Sequence, residues 1–393
     1  MPETLPAAAW TGRKALAELV AALGANELGG SNARYVGGAV RDTLLGLEAN
    51  DVDIATPLEP VEVIARLDAA GIRNVPTGLR HGTITAIRDG GNVEITTLRR
   101  DISTDGRHAE VAFSHDWKED AARRDFTINA LYADPLTREV FDYFGGLDDL
   151  RARRVRFIGD PRARIGEDHL RILRYFRFQA RFGSHPPDVE AEQACAELAP
   201  TLKGLSRERI GWEFQNLLAL PDPAPTVARM AQLGVLAVVL PEADPQGLVR
   251  LIEAETREGA GADPLRRLAA LLPPDPVIAE RVAARLRLSV AQKKRLILAA
   301  RRSSESSEPR GLAYCIGREA AIDRLLLSGH ETAPLRGWEA PVFPLKGGAI
   351  VARGVAAGPE VARILRAVEA RWLAEGFPDD ERVAELLDQR LAE

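Results

Sequence analysis

Cysteine is scarce. The two thiols in 393 residues, Cys195 and Cys315, form neither a disulfide framework nor a metal-ligand spacing, which suits a reducing compartment, the cytoplasm. Both are expected as small buried hydrophobes. No apolar run approaches the roughly 20 residues of a membrane span, and the N-terminus lacks a basic-then-apolar export signal, so no membrane association is expected. Positive charge is also short. With 52 Lys and Arg against 57 Asp and Glu the net charge is −5, so any nucleic-acid contact must come from local clustering of arginine. Internal repeats and low-complexity tracts are missing apart from a short serine-rich stretch at Ser303. What remains is an ordinary folded composition, 46% hydrophobic and 28% charged, in a chain longer than one core usually supports, hence several domains.

The most informative stretch is Tyr35-Val36-Gly37-Gly38-Ala39-Val40-Arg41-Asp42. A β-branched and aromatic start predicts a strand end, the glycines permit φ > 0 and close backbone approach, and Ala39 to Leu45 predicts a helix stopped by Gly46. Strand, glycine turn and helix start make an anion site, with Arg41 one turn in to pair with a phosphate. Asn50-Asp51-Val52-Asp53-Ile54 follows as a β-like run. A period of two puts both carboxylates on one face, an arrangement that a divalent cation would relieve, and Mg²⁺ takes one or two carboxylates plus substrate phosphates. A phosphate cradle beside a metal pair points to phosphoryl transfer.

Further along, Leu16 to Leu23 and Pro60 to Ala70 predict helices. Ile72 to Val75, Thr83 to Ile87 and Val93 to Leu98 predict strands, with Asp89-Gly90-Gly91-Asn92 as a hairpin turn. Glu94, in the last of these, is either a third carboxylate for the pair or a solvent-facing strand residue. Arg99 to Ala112 predicts a polar loop, and Asp120 to Tyr132 a helix in which Asp125 and Asn129, four apart, act as internal ties. His115-Asp116 lacks the further ligands that a metal phosphohydrolase needs. From Leu150 onward arginines crowd together. Asp168, Arg171, Arg174 and Arg177 recur every third residue, predicting a charged stripe on one helix with Leu170, Ile172, Leu173 and Phe176 on its other side. Leu205 to Ile210 with Trp212 to Leu218 predicts a second amphipathic helix, and eight basic residues from Arg281 to Arg302 form another basic stretch.

In this order the motifs resemble those of the polymerase-β-like nucleotidyltransferases, and within them the class II tRNA nucleotidyltransferases, the CCA-adding enzymes and their poly(A) polymerase relatives. The resemblance extends through Gly78-Leu79-Arg80-His81-Gly82-Thr83, Val93-Glu94-Ile95-Thr96-Thr97, Arg123-Arg124-Asp125-Phe126-Thr127-Ile128-Asn129-Ala130 and Glu167-Asp168-His169-Leu170-Arg171. It implies an α+β fold, a small mixed-sheet nucleotidyltransferase head (1–147) followed by an all-α neck (148–220), body (221–302) and tail (303–393). It also implies CCA addition to the 3′ end of tRNA from CTP and ATP, with tRNA as partner and no protein partner. Asp51 and Asp53 would be the catalytic metal ligands for Mg²⁺, with Glu94 beside the attacking hydroxyl, and Gly37, Gly38, Arg41, Arg124, Asp168, Arg171, Arg174 and Arg177 would bind nucleotide. Asp168 and Arg171 would act as the amino-acid template, because a carboxylate and a guanidinium match the amine and adjacent acceptor of cytosine or adenine. The family loop with an Asp-Gly-Arg-Arg-Pro core is kept here as Asp105-Gly106-Arg107, with His108 and Ala109 departing from it. Alternatives are a poly(A) polymerase, a partial CC- or A-adding enzyme or a non-catalytic tRNA binder. A dinucleotide oxidoreductase is weaker, since Gly37-Gly38 is no Gly-x-Gly-x-x-Gly.

Overall fold

The computed structural model describes residues 3–25, 32–49, 51–88, 91–104, 109–302 and 308–392. Contacts divide the chain into two compact units, one of residues 1–217 with 225–239, the other of 218–224 with 240–393.

The first unit begins with helix α1 (Lys14–Ala22), strand β1 (Arg34–Val36), helix α2 (Gly38–Leu44), strand β2 (Asp53–Thr56) and helix α3 (Pro60–Ala69). Strands β3 (Asn74–Gly78), β4 (Thr83–Ala86) and β5 (Val93–Thr97) follow, then a ribbon of β6 (Arg99–Thr104) and β7 (Ala109–Phe113). Helix α4 (Trp117–Ala122), strands β8 (Leu131–Ala133) and β9 (Val140–Asp142) and helix α5 (Gly146–Arg151) complete the sheet-bearing part. Seven strands form one mixed sheet in the order β3-β4-β5-β2-β1-β8-β9, in which only β2 and β5 pair in parallel. Its register fixes the chemistry. Asp53 lies opposite Val36 on one side and Glu94 on the other, so the turn that leaves β1 at Gly37 sits beside the first residue of β2. Ile54 and Ala55, which point to opposite faces of the sheet, are both buried, so β2 is covered on both sides beyond Asp53.

Helices α6 (Pro161–Glu167), α7 (Arg171–Phe182), α8 (Val189–Leu198) and α9 (Arg207–Leu218) come next, then α10 (Ala224–Gln232) and α11 (Val235–Val239). The inner face of α7, with Ile172, Leu173, Tyr175, Phe176, Phe178 and Phe182, is buried. Phe126, Phe157, Tyr175 and Phe178 form an aromatic cluster there, with centroids 4.9 to 6.4 Å apart.

The second unit is helical: α12 (Pro245–Glu258), α13 (Pro264–Leu271), α14 (Pro276–Arg285), α15 (Val290–Ala300), α16 (Pro309–Ile316), α17 (Arg318–Leu327), α18 (Gly347–Val351), α19 (Pro359–Ala374) and α20 (Asp380–Ala392). Five of these helices, α12 to α16, start on a side-chain cap that accepts from their first backbone amides, as at Asp244 and Asp263. Trp372, Val368, Ile364, Leu386 and Leu387 form one core of this unit. No helix among the described residues is long and apolar enough to cross a membrane.

Several predicted elements are corrected. Residues 120–132 are not one helix: α4 stops at Ala122, a 3-10 turn covers Thr127–Asn129, and β8 starts at Leu131, because Phe126, Ile128 and Leu131 are claimed by the sheet and aromatic core. Polar Arg99 to Ala112 forms the β6–β7 ribbon rather than a plain loop. Asp105, Gly106, Arg107 and His108, with half of the Asp89–Asn92 turn, lie outside the described residues. Cys195 is buried, but Cys315 is exposed on α16. Part of the basic stretch of 281–302 is tied down within its own unit. Arg285 pairs with Glu242, Lys293 with Glu280, and Arg295 with Asp263, Glu319 and Asp323, while Arg302 donates to the carbonyls of Ala269 and Leu272.

Candidate active site

A cleft of about 830 Å³ opens in the first unit, lined among others by Gly37, Gly38, Arg41, Asp51, Asp53, Arg124, Asp168, Arg171, Arg174 and Arg177. Every predicted site residue except Glu94 is therefore on one cavity wall or another. Glu94 is exposed and faces Asp53 across the parallel β2–β5 pair.

Gly37 has φ 71° and ψ −124°, a conformation open only to glycine. A Cβ there would find room, 3.6 Å from Arg124 Nη1, so backbone conformation rather than space demands the glycine. The same distance places the Arg124 guanidinium at the turn. Its Nη2 donates to Asp120 Oδ2 at 3.1 Å and its Nε to the Tyr132 hydroxyl at 3.2 Å, leaving Nη1 directed at the turn. Asp120 is 1% exposed and also takes Arg123 and the Tyr132 hydroxyl. Burial alone would raise its pKa, but Arg124, Arg123 and Tyr132 outweigh burial and hold it down at about 2. Asp120→Ala strands two half-buried guanidinium groups and is expected to lower stability by about 3 to 5 kcal/mol, read as a drop in the denaturant midpoint.

Asp53 shows the opposite balance. Burial, then the nearby Glu94, push its carboxyl up to about 6, with Asp51 adding to the effect and Arg124 opposing it. Asp53 thus feels two neighbouring carboxylates that one arginine only partly offsets. Among the described residues no group of three or more His, Cys, Asp and Glu side chains gathers in metal-holding geometry, so a cation here would rest on the Asp51 and Asp53 pair.

Arg41 is 6% exposed. It is tied to Asp42 at 2.6 Å and to Asn129, and lies 4.1 Å over the Phe182 ring, so it props the cleft wall rather than projecting into it. Asn129 also donates to Asp125 at 2.9 Å, the tie expected from their spacing although no helix joins them. Asp125 in turn binds Arg174 at 2.5 Å; burial opposes its charge, but Arg174, Asn129 and the Phe126 amide hold its pKa at about 2. Arg174 and Arg177 share buried Glu213 of α9, and Arg181 reaches Asp42 at 3.2 Å. The arginine stripe of α7 is thus a row held in place by acids from three neighbouring segments.

The pair Asp168 and Arg171 departs from its predicted geometry. Asp168 is not on α7: it is the extended residue after α6, and the new helix begins at Arg171. Its Oδ1 caps the Leu170 amide at 3.1 Å and its Oδ2 pairs with Arg209 at 2.6 Å. Arg171 binds Glu167 and the Arg164 carbonyl through Nη1 and the Arg123 carbonyl through Nη2, which fixes the plane of a guanidinium that still has donors to offer. Asp42, Arg181, Arg209 and Trp212 are cleft residues that motif reading missed. The signal for the last two was present, since spacing of three on an amphipathic helix puts them on one flank.

A glycine turn, an Asp-x-Asp beside it and an arginine wall define a nucleotidyltransferase head, and residues 33–156 match the family model "Poly A polymerase head domain". Residues 187–246 match "Probable RNA and SrmB- binding site of polymerase A". The chain belongs to the CCA tRNA nucleotidyltransferase family: it is 36% identical over 365 residues to the mitochondrial CCA tRNA nucleotidyltransferase 1 of Mus musculus, covering 88% of this chain and 83% of that one. A CCA-adding enzyme of Streptococcus pyogenes is 43% identical over 196 residues, 49% of this chain and 47% of that one. The crystal structure of the Bacillus stearothermophilus CCA-adding enzyme in complex with CTP superposes with TM-score 0.76 at 26% identity, covering 97% and 98% of the two chains.

Proposed function

We propose that this protein adds C, C and A to the 3′ end of tRNA from CTP and ATP without a nucleic-acid template. The observation that carries the reading is that Asp51 and Asp53 share one cleft with Asp168 and Arg171. The RNA 3′-oxygen attacks the α-phosphorus of the nucleotide, the bond from that phosphorus to the bridging oxygen breaks, and pyrophosphate leaves as the hydroxyl proton is lost. Asp51 and Asp53 would hold divalent cations, Mg²⁺ in this reading, which supply charge neutralisation at the phosphates and a lowered pKa for the attacking hydroxyl. The fit rests on two hard oxygen donors lining one cleft, with the Asp53 carboxyl raised first by burial and then by its acidic neighbours, a charge that a cation would offset. Glu94, exposed and in register with Asp53 but not on the cleft wall, would act beside the attacking hydroxyl only as a third, outer carboxylate.

The Gly37-Gly38 turn and Arg124 Nη1 take phosphate oxygens, while Arg174 and Arg177, fixed by Asp125 and Glu213, set a positive wall for the rest of the nucleotide. Asp168 accepts from the exocyclic amine of cytosine or adenine and Arg171 donates to the neighbouring ring acceptor. Uracil and guanine put an oxygen against the carboxylate and fail. The two unpaired cysteines suit the reducing cytoplasm, although the mouse relative is named mitochondrial. Incubating the protein with a truncated tRNA and each labelled nucleotide singly tests the reading: incorporation is expected from CTP first, and from ATP only after CTP. Long A tracts on any RNA would instead mean a poly(A) polymerase.

A further inference from the structure

Of the five tryptophans, four pack against other aromatic rings. Trp10 meets Tyr35 edge-on at 4.8 Å, Trp117 meets Tyr132 at 5.6 Å, Trp338 meets Phe377 at 5.7 Å, and Trp372 meets Phe377 at 4.9 Å. Trp212 is the exception among the described residues. Its side chain is 61% exposed, no ring or guanidinium stacks on it, and yet it lines the same cleft as Asp51 and Asp53. On α9, Ile210, Glu213 and Phe214 are buried, which turns Arg209 and Trp212 together onto the flank facing the cleft. Arg209 holds Asp168, so the indole stands one helical turn from the arginine that grips the carboxylate proposed to meet the incoming base.

A single exposed apolar residue on an open surface needs no explanation, but a bare indole in a cleft walled by Arg174, Arg177, Arg181 and Arg209 is a different case. Arginines that track phosphates, combined with an aromatic face that accepts any base, are the parts of a single-strand nucleic-acid site. We infer that Trp212 is a stacking platform for a base near the 3′ end of the RNA strand. The ring sits mostly open to solvent, whereas the side chains of Asp168 and Arg171 are only 26% and 12% exposed, so the nucleotide occupies the deeper position and the RNA strand comes in over the indole. Stacking holds a terminal base without reading it, which suits a 3′ end whose identity changes after each addition.

The inference rests on the function proposed above, and its test separates the two. RNA binding is measured by titrating the full-length protein into labelled tRNA lacking its CCA end, alongside KM values for that RNA and for CTP. Trp212→Ala is expected to weaken RNA binding and raise the RNA KM about tenfold, with the KM for CTP changed less than about twofold. Trp212→Phe, which keeps an aromatic face, is expected to restore most of the loss. An unchanged RNA affinity in Trp212→Ala, a rise in the CTP KM alone, or failure of the Phe variant to rescue would overturn the platform. Wild-type protein that binds RNA through Trp212 but adds no nucleotide would keep the platform and refute the proposed function.

Discussion

Asp53→Asn is expected to lower nucleotide incorporation by about a thousandfold or more while raising the thermal midpoint at neutral pH in the presence of a chelator. The two effects have one cause. Burial and Glu94 raise the Asp53 pKa to about 6, above the value of about 3.9 for an unfolded chain. The folded state therefore binds this proton more tightly, so the contribution to stability is fully present below about pH 4 and is lost as pH rises through 6. At pH 7.5 the ionised carboxylate costs stability, and the amide relieves that cost. Magnesium should then stabilise the wild type and not the variant, since a ligand that binds only the folded protein raises its midpoint. A variant that incorporates nucleotide at the wild-type rate, or melts lower than the wild type under chelation, would remove the carboxylate-pair argument.

Asp168→Ala is expected to lower kcat/KM for CTP and ATP by about 10- to 100-fold and to narrow their advantage over UTP and GTP, because the amine of the correct base loses its partly buried acceptor. Competition among the four nucleotides reads this directly. Arg209→Ala should share part of the loss, since Arg209 is the group that holds the Asp168 carboxylate at 2.6 Å. Preserved selectivity in Asp168→Ala would mean that the base is chosen elsewhere. A melting curve distinguishes either result from simple unfolding.

The site was legible where backbone chemistry decides. Gly37 could be read because a turn between a strand and a helix demands φ > 0; Asp51 and Asp53 do line one cleft, but β2 begins only at Asp53, so the strand alternation expected of the pair reaches just the second of them. Helix α3 was readable from Pro60 at its start, and the inner face of α7 from its apolar spacing. What could not be read was set by tertiary competition. Nothing local reveals that Phe126 and Ile128 are drawn into the core, so that the run after Ala122 breaks into a turn and a strand. The arginines after Leu150 looked like an open basic patch because charge counting ignores partners far along the chain. Asp125 lies 49 residues from Arg174 and Glu213 lies 36 from Arg177, and these acids turn a solvated stripe into a braced wall. Arg171 was placed in the cleft, but its partnership with Glu167 and two carbonyls, and that of Asp168 with Arg209, depend on a break between α6 and α7 that a spacing of three conceals.

The most direct measurement is to sequence the 3′ ends of a tRNA lacking its terminal CCA after incubation with the full-length protein, magnesium and all four nucleoside triphosphates. The account predicts ends extended by C, C and A and then no further. Ends carrying U or G, open-ended A tracts, or ends left as they began would contradict it.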